Sequence, residues 1–124
     1  MANPNIVNVT SILGVTTAIG LASSAPTVFL SNAASSNKIF KINTVIGVNT
    51  DGSNTVDLTV KWHAQASGAG TSVPIANTIL IPADSSLVVI GKDSPIYLEE
   101  NRSLTVQANA VGRSAIICSY EEIS

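Results

Sequence analysis

Between Thr55 and Ala66 the chain alternates apolar and polar side chains. Val56, Leu58, Val60, Trp62, Ala64 and Ala66 face Thr55, Asp57, Thr59, Lys61, His63 and Gln65. A period of two places successive side chains on opposite faces of a strand, so this segment predicts a strand with one buried and one wet face. Leu104, Val106, Ala108 and Ala110 alternate with Ser103, Thr105, Gln107 and Asn109 in the same way. In a third strand, Phe40, Ile42, Ile46 and Val48 are expected on one face, with Lys41 and Asn43 opposite. Leu87 to Ile90 and Ile116 to Tyr120 are apolar on both faces, which predicts interior strands or strands covered by another subunit. Val28 to Leu30, Thr78 to Ile81 and Ile96 to Leu98 are shorter candidates. Ile6 to Leu13 and Val15 to Leu21 predict two more, separated near Gly14.

Turn residues punctuate these segments. Thr50-Asp51-Gly52-Ser53-Asn54 predicts a hairpin between the third strand and the Val56 strand, because Asp-Gly supplies the positive φ of a tight turn. Gly68-Ala69-Gly70, Pro82-Ala83-Asp84, Gly91 to Pro95 and Val111-Gly112-Arg113 predict the later turns. No segment carries a helical stripe. The fold expected is all-β: a single antiparallel β-sandwich of about eight to ten short strands, a jelly roll being one form of it. The whole chain, residues 1–124, is one domain. Residues 1–22 form an N-terminal segment that either pairs in its own sheet or docks on, or exchanges with, a neighbouring subunit. Its uncharged stretch Asn5 to Thr10 makes Ile6, Val7, Val9 and Ile12 the candidate interface residues.

Composition sharpens this picture. Charged residues are 11% of the chain, against about a quarter in an average domain, while hydrophobic residues are 45%. Polar faces are therefore dressed with hydroxyls and amides, which desolvate more cheaply than charges. Such a surface suits burial against a protein partner, and a homo-oligomer is expected. With six Lys and Arg and a net charge of −2, the footprint of a nucleic-acid binder is missing. No apolar run approaches the roughly 18 residues of a membrane helix, and no secretory leader is apparent. Asn8-Val9-Thr10 and Asn101-Arg102-Ser103 match the glycosylation pattern only by chance on that reading.

Candidate chemistry is sparse. His63, the single histidine, is placed on the polar face of its strand, solvated or at an interface. The acid on that face, Asp57, is six residues and therefore about 20 Å away, beyond general-base geometry. Cys118 lies in an apolar run and reads as a small buried core residue. Glu99-Glu100 and Glu121-Glu122 are adjacent pairs whose members point to opposite faces, so neither forms a carboxylate dyad. Asp51 to Asn54 lacks the downstream carboxylate of a calcium loop, and Gly68 to Ser72 lacks the Lys and helix of a phosphate loop. No catalytic residue, no metal ligand set and no cofactor site is assigned. Trp62 is expected in the core. A carbohydrate-binding module stays open as a second reading, with Tyr97 as its candidate exposed aromatic.

Three stretches carry a family likeness: Thr78-Ile79-Leu80-Ile81-Pro82-Ala83-Asp84 to Ile90, Pro95-Ile96-Tyr97-Leu98-Glu99-Glu100 to Ala108, and Ser119-Tyr120-Glu121-Glu122-Ile123. Together with the looser Thr27 to Leu30 and Lys38 to Val60, they resemble small β-sandwich virion proteins of tailed bacteriophages. Asp84 stands where that pattern usually has Gly, and Asn101 where it has Gly or Asp; both tolerate turn geometry. The resemblance implies a capsid decoration or cement protein, or a neck or tail accessory protein. It implies other virion proteins as partners, the major capsid protein first among them. The location implied is the virion, after synthesis in the host cytoplasm.

Overall fold

The chain folds as one long two-stranded ribbon whose first half pairs, in reverse order, with its second half. The computed structural model describes residues 8–21 and 23–124. Nine strands follow: β1 (Ile12–Gly20), β2 (Thr27–Asn32), β3 (Ile39–Asn49), β4 (Val56–His63), β5 (Ser72–Ile81), β6 (Ser86–Ile90), β7 (Ile96–Leu98), β8 (Arg102–Ala108) and β9 (Ser114–Ile123). β1 pairs with β9, β2 with β8, β3 with both β7 and β6, and β4 with β5, all antiparallel. Rolling the ribbon adds the β3–β9 and β4–β8 ladders. One sheet has the order β1-β9-β3-β6, with β7 also on β3; the other has the order β2-β8-β4-β5. This is an all-β sandwich with jelly-roll connectivity, β6 and β7 sharing one strand position.

The core forms where the inward positions of the two sheets meet. Ile42, Val45, Val56, Leu58, Val60, Leu98, Leu104, Val106 and Cys118 are fully buried. Gly47 faces inward too: a Cβ there would collide with Leu58 Cδ2, so only glycine lets β3 pass over that side chain.

Several expectations need correction. The Asp51–Asn54 turn is not a hairpin, since β3 and β4 lie in different sheets. The turn crosses the sandwich instead, held by the buried Asn49 amide. Its Nδ2 donates to the carbonyls of Asn54 (2.8 Å), Ile81 (3.0 Å) and Pro82 (3.1 Å). Asn32 does the same at the β2–β3 corner, donating to the carbonyls of Lys38 (2.9 Å) and Leu98 (3.1 Å). Among the described residues, the one hairpin within a sheet joins β4 to β5, at the ribbon's tip. A bulge between Ile42 and Thr44 rotates β3, so Phe40 and Ile42 face the core while Ile46 and Val48 face out. β1 runs unbroken through Gly14, because its pairing with β9 continues across it. β4 ends at His63, not Ala66, and β5 begins at Ser72, six residues before the Thr78 start read from the sequence. β6 is an edge strand, not an interior one. Asp84 and Asn101, the two departures from glycine, both hold left-handed backbone, at φ 55° and 57°.

Candidate interaction surface

Each exposed sheet edge is a row of unpaired backbone donors and acceptors, which natural folds normally blunt. Three of the edges here are blunted. β5 carries Pro74, two register shifts against β4 and Thr78 at φ 52°. β2 is bulged between Val28 and Leu30, and β6 and β7 span only five and three residues. β1 has none of these devices. Its nine residues pair with β9 in unbroken register, and it holds neither charge nor proline. No Asp, Glu, Lys or Arg occurs in residues 1–37. Ile12 and Leu13, at the start of β1, are 58% and 56% exposed.

The outer face of the same sheet continues this uncharged surface. Register places Ala18 opposite Ile117, Ile117 opposite Ile46, and Ile46 opposite Val88. These four residues form an apolar row across β1, β9, β3 and β6. The next row is Gly20, Ala115, Val48 and Ser86. Val88 is 60% and Ile117 39% exposed. An antiparallel sheet with a solvated face should be polar there. Apolar side chains in register across a sheet face, beside an edge with no blunting device among the described residues, suit burial against another protein. Charge returns at both ends of the sheet: Lys41 stands opposite Glu121 at one, and Arg113 pairs with Asp51 at 3.0 Å just past the other.

The candidate interface residues fall partly on this surface. Ile12 is exposed at the start of β1, and Val9 is half-buried just before it. Ile6 and Val7 lie outside the described residues. Sequence reading missed Ala18, Ile46, Val88 and Ile117, because only the pairing register brings them into one row.

His63 is on the outer face of the β4 sheet, as its parity requires, but it is neither solvated nor interfacial. It is 7% exposed, with Nε2 2.8 Å from Thr105 Oγ1. The connection 64–71 folds back over it. Ser103 Oγ donates to the Gln65 carbonyl (2.6 Å) and accepts from Gly68 N (3.0 Å). Ser31 Oγ donates to the Ala66 carbonyl (2.6 Å), and Arg102 Nη1 to the Ala64 carbonyl (3.1 Å). The Gly68 segment is therefore a fastened flap and not a loose turn. Cys118 is buried, and desolvation pushes its thiol up to about 12. Trp62 packs against the core with Arg102 over its ring, and Tyr97 is 44% exposed. Of the four glutamates, Glu122 pairs with Lys38 at 2.7 Å.

Sheet order and surface thus define a class: jelly-roll sandwiches with one uncharged corner that, among the described residues, carries no edge-blunting device. No protein-family model and no curated protein sequence matches the chain. Among solved structures it is similar to that of Bacillus endospore appendages, which form a family of disulfide-linked pili. The TM-score is 0.54 at 16% identity, covering 98% of this chain and 92% of that one. It is also similar to a protein of the T13 IBDV viral particle, with a TM-score of 0.51 at 8% identity. That match covers 93% of this chain but spans 31% of the viral one. At these identities the likeness concerns the fold.

Proposed function

We propose that this protein is a non-enzymatic structural subunit that works in many copies, joined to other subunits through the β1 edge and the outer face of its sheet. The observation that carries the reading is the in-register row Ala18–Ile117–Ile46–Val88 beside an edge with no charge, proline or bulge. Pili and virus particles, where the two similar folds occur, are both repetitive assemblies, which supports the same class of role. Disulfide linkage of the pilus kind does not carry over, because the single cysteine, Cys118, is buried in the core.

The finer reading is a virion subunit of a tailed bacteriophage, decorating or cementing the head against the major capsid protein. It rests on the resemblance of Thr78 to Ala108 and Ser119 to Ile123. Copy number separates it from a neck or tail accessory: hundreds of copies for the head, about a dozen for a ring at the neck. The coarser reading is tested with Ala18→Lys and Ile117→Asp, two changes at exposed positions. Both variants should melt like the parent yet fail to enter the assembly, as measured by sedimentation of the pure protein and by incorporation into purified particles. A parent that stays monomeric at every concentration and is absent from particles overturns the proposal. So do variants that incorporate as well as the parent.

A further inference from the structure

The opposite sheet has a concavity that the assembly reading does not use. On the outer face of β8-β4-β5, Asp57, Thr59, Lys61, Asn77, Thr78, Gln107 and Asn109 line a half-open cavity of about 250 Å³. Its frame is fixed by hydrogen bonds from backbone N–H groups. Asn109 Oδ1 accepts from Asp57 N (3.1 Å), and Asn109 N donates to the Asp57 carbonyl (3.2 Å). Thr78 N donates to Thr59 Oγ1 (2.9 Å), which leaves the Thr59 hydroxyl proton free to point elsewhere. Thr78 is a β-branched residue held at φ 52°, a conformation such residues rarely adopt. It sits where the β4–β5 register slips, and the slip opens the ladder beside the cavity.

The side-chain heads of Asp57, Lys61, Asn77 and Gln107 have no hydrogen-bond or ion-pair partner among the described residues. In a chain this short of charge, an acid and a base share one pocket without pairing. An anion would meet Asp57, and a metal ion would meet Lys61. An apolar ligand would strand the four polar heads. A neutral, hydroxyl-rich ligand suits all of them, accepting from Lys61 and the amide N–H groups while donating to Asp57 and the amide oxygens. We propose that this cavity binds one sugar ring of a carbohydrate, through Asp57, Lys61, Asn77 and Gln107. The site is separate from Tyr97, and it faces away from the β1 surface, so the inference stands without the assembly role.

The test is titration of ¹⁵N-labelled protein with the methyl glycosides of glucose, galactose, mannose, N-acetylglucosamine and rhamnose. At least one should give saturable shifts at the side-chain amides of Asn77 and Gln107 and the backbone amide of Thr78. Asp57→Asn or Gln107→Ala should weaken that binding by about tenfold, the usual loss for one hydrogen bond to a charged or well-fixed partner. Asn77→Ala, at an exposed position, gives the same readout if either of the others disturbs the fold. No saturable shift with any of the five overturns the proposal. So do shifts that map to Trp62 and Tyr97, or binding that none of the variants changes.

Discussion

Gly68 holds φ 74°, and a Cβ added there would come within 2.9 Å of Val28 Cγ2 and 3.2 Å of Thr105 Cγ2. It is the contact point between the flap and the sheet beneath. Gly68→Ala should therefore destabilise the fold by about 1–3 kcal/mol, read from the urea midpoint. Cys118 is kept protonated by burial, with its thiol pushed up to about 12. A thiol reagent at pH 8 should leave the native protein unmodified and label it only at the rate of unfolding. At the sheet-crossing turn, the Asp51 carboxyl is held below its ordinary value of 3.8. The causes are hydrogen bonds from Ser53 N, the Asn54 side chain and Asn54 N, then the Arg113 guanidinium 3.0 Å away. A depressed folded-state value means the stabilisation is present above the unfolded value and is lost as pH falls through the folded one. Asp51→Asn should flatten the acid limb of the stability curve below about pH 4 and leave the neutral limb's shape unchanged.

Elements here are defined by their corners as much as by their ladders. Asn49 is 1% exposed and holds the β3–β4 crossing to the end of β5 through three carbonyls. Replacing it with Ala strands those carbonyls in a dry corner. Asn49→Ala should cost about 1–3 kcal/mol, measured by thermal or urea unfolding, with the pleated core otherwise intact. The strand edges differ in the same concrete way. Pro74, the register slips and Thr78 make β5 a poor template for another strand, whereas β1 is uncharged and pairs with β9 in unbroken register.

At the scale of the whole molecule, the two sheets present unlike outer surfaces. One is an apolar row bordered by the uncharged β1 edge; the other holds a polar cavity and a flap fastened over His63. On the proposed assembly reading the first surface is buried between subunits, so charge placed at Ala18 or Ile117 should affect assembly and spare folding. The reverse holds for the core. Gly47→Ala, forced against Leu58, should lower stability by about 1–3 kcal/mol without a specific effect on assembly, measured by unfolding and sedimentation together.

The sequence by itself determined the fold class, because a period of two is a property of neighbouring residues and needs no partner strand to be read. Val56 to Val60 and Leu104 to Ala108 face the core as their alternation requires, and the apolar run around Cys118 hides its thiol. Only the tertiary structure decided the rest, since each remaining feature depends on which strand lies beside which. A one-residue bulge after Ile42 moved Ile46 and Val48 from the core face to the surface. The Asp51 turn crosses between sheets because Asn49 finds its acceptors at the far end of β5. His63 is buried by residues that follow it in sequence but fold back through Ser103 and Ser31. The apolar row and the polar cavity are products of register, and register between distant strands is written in no local stretch of the chain.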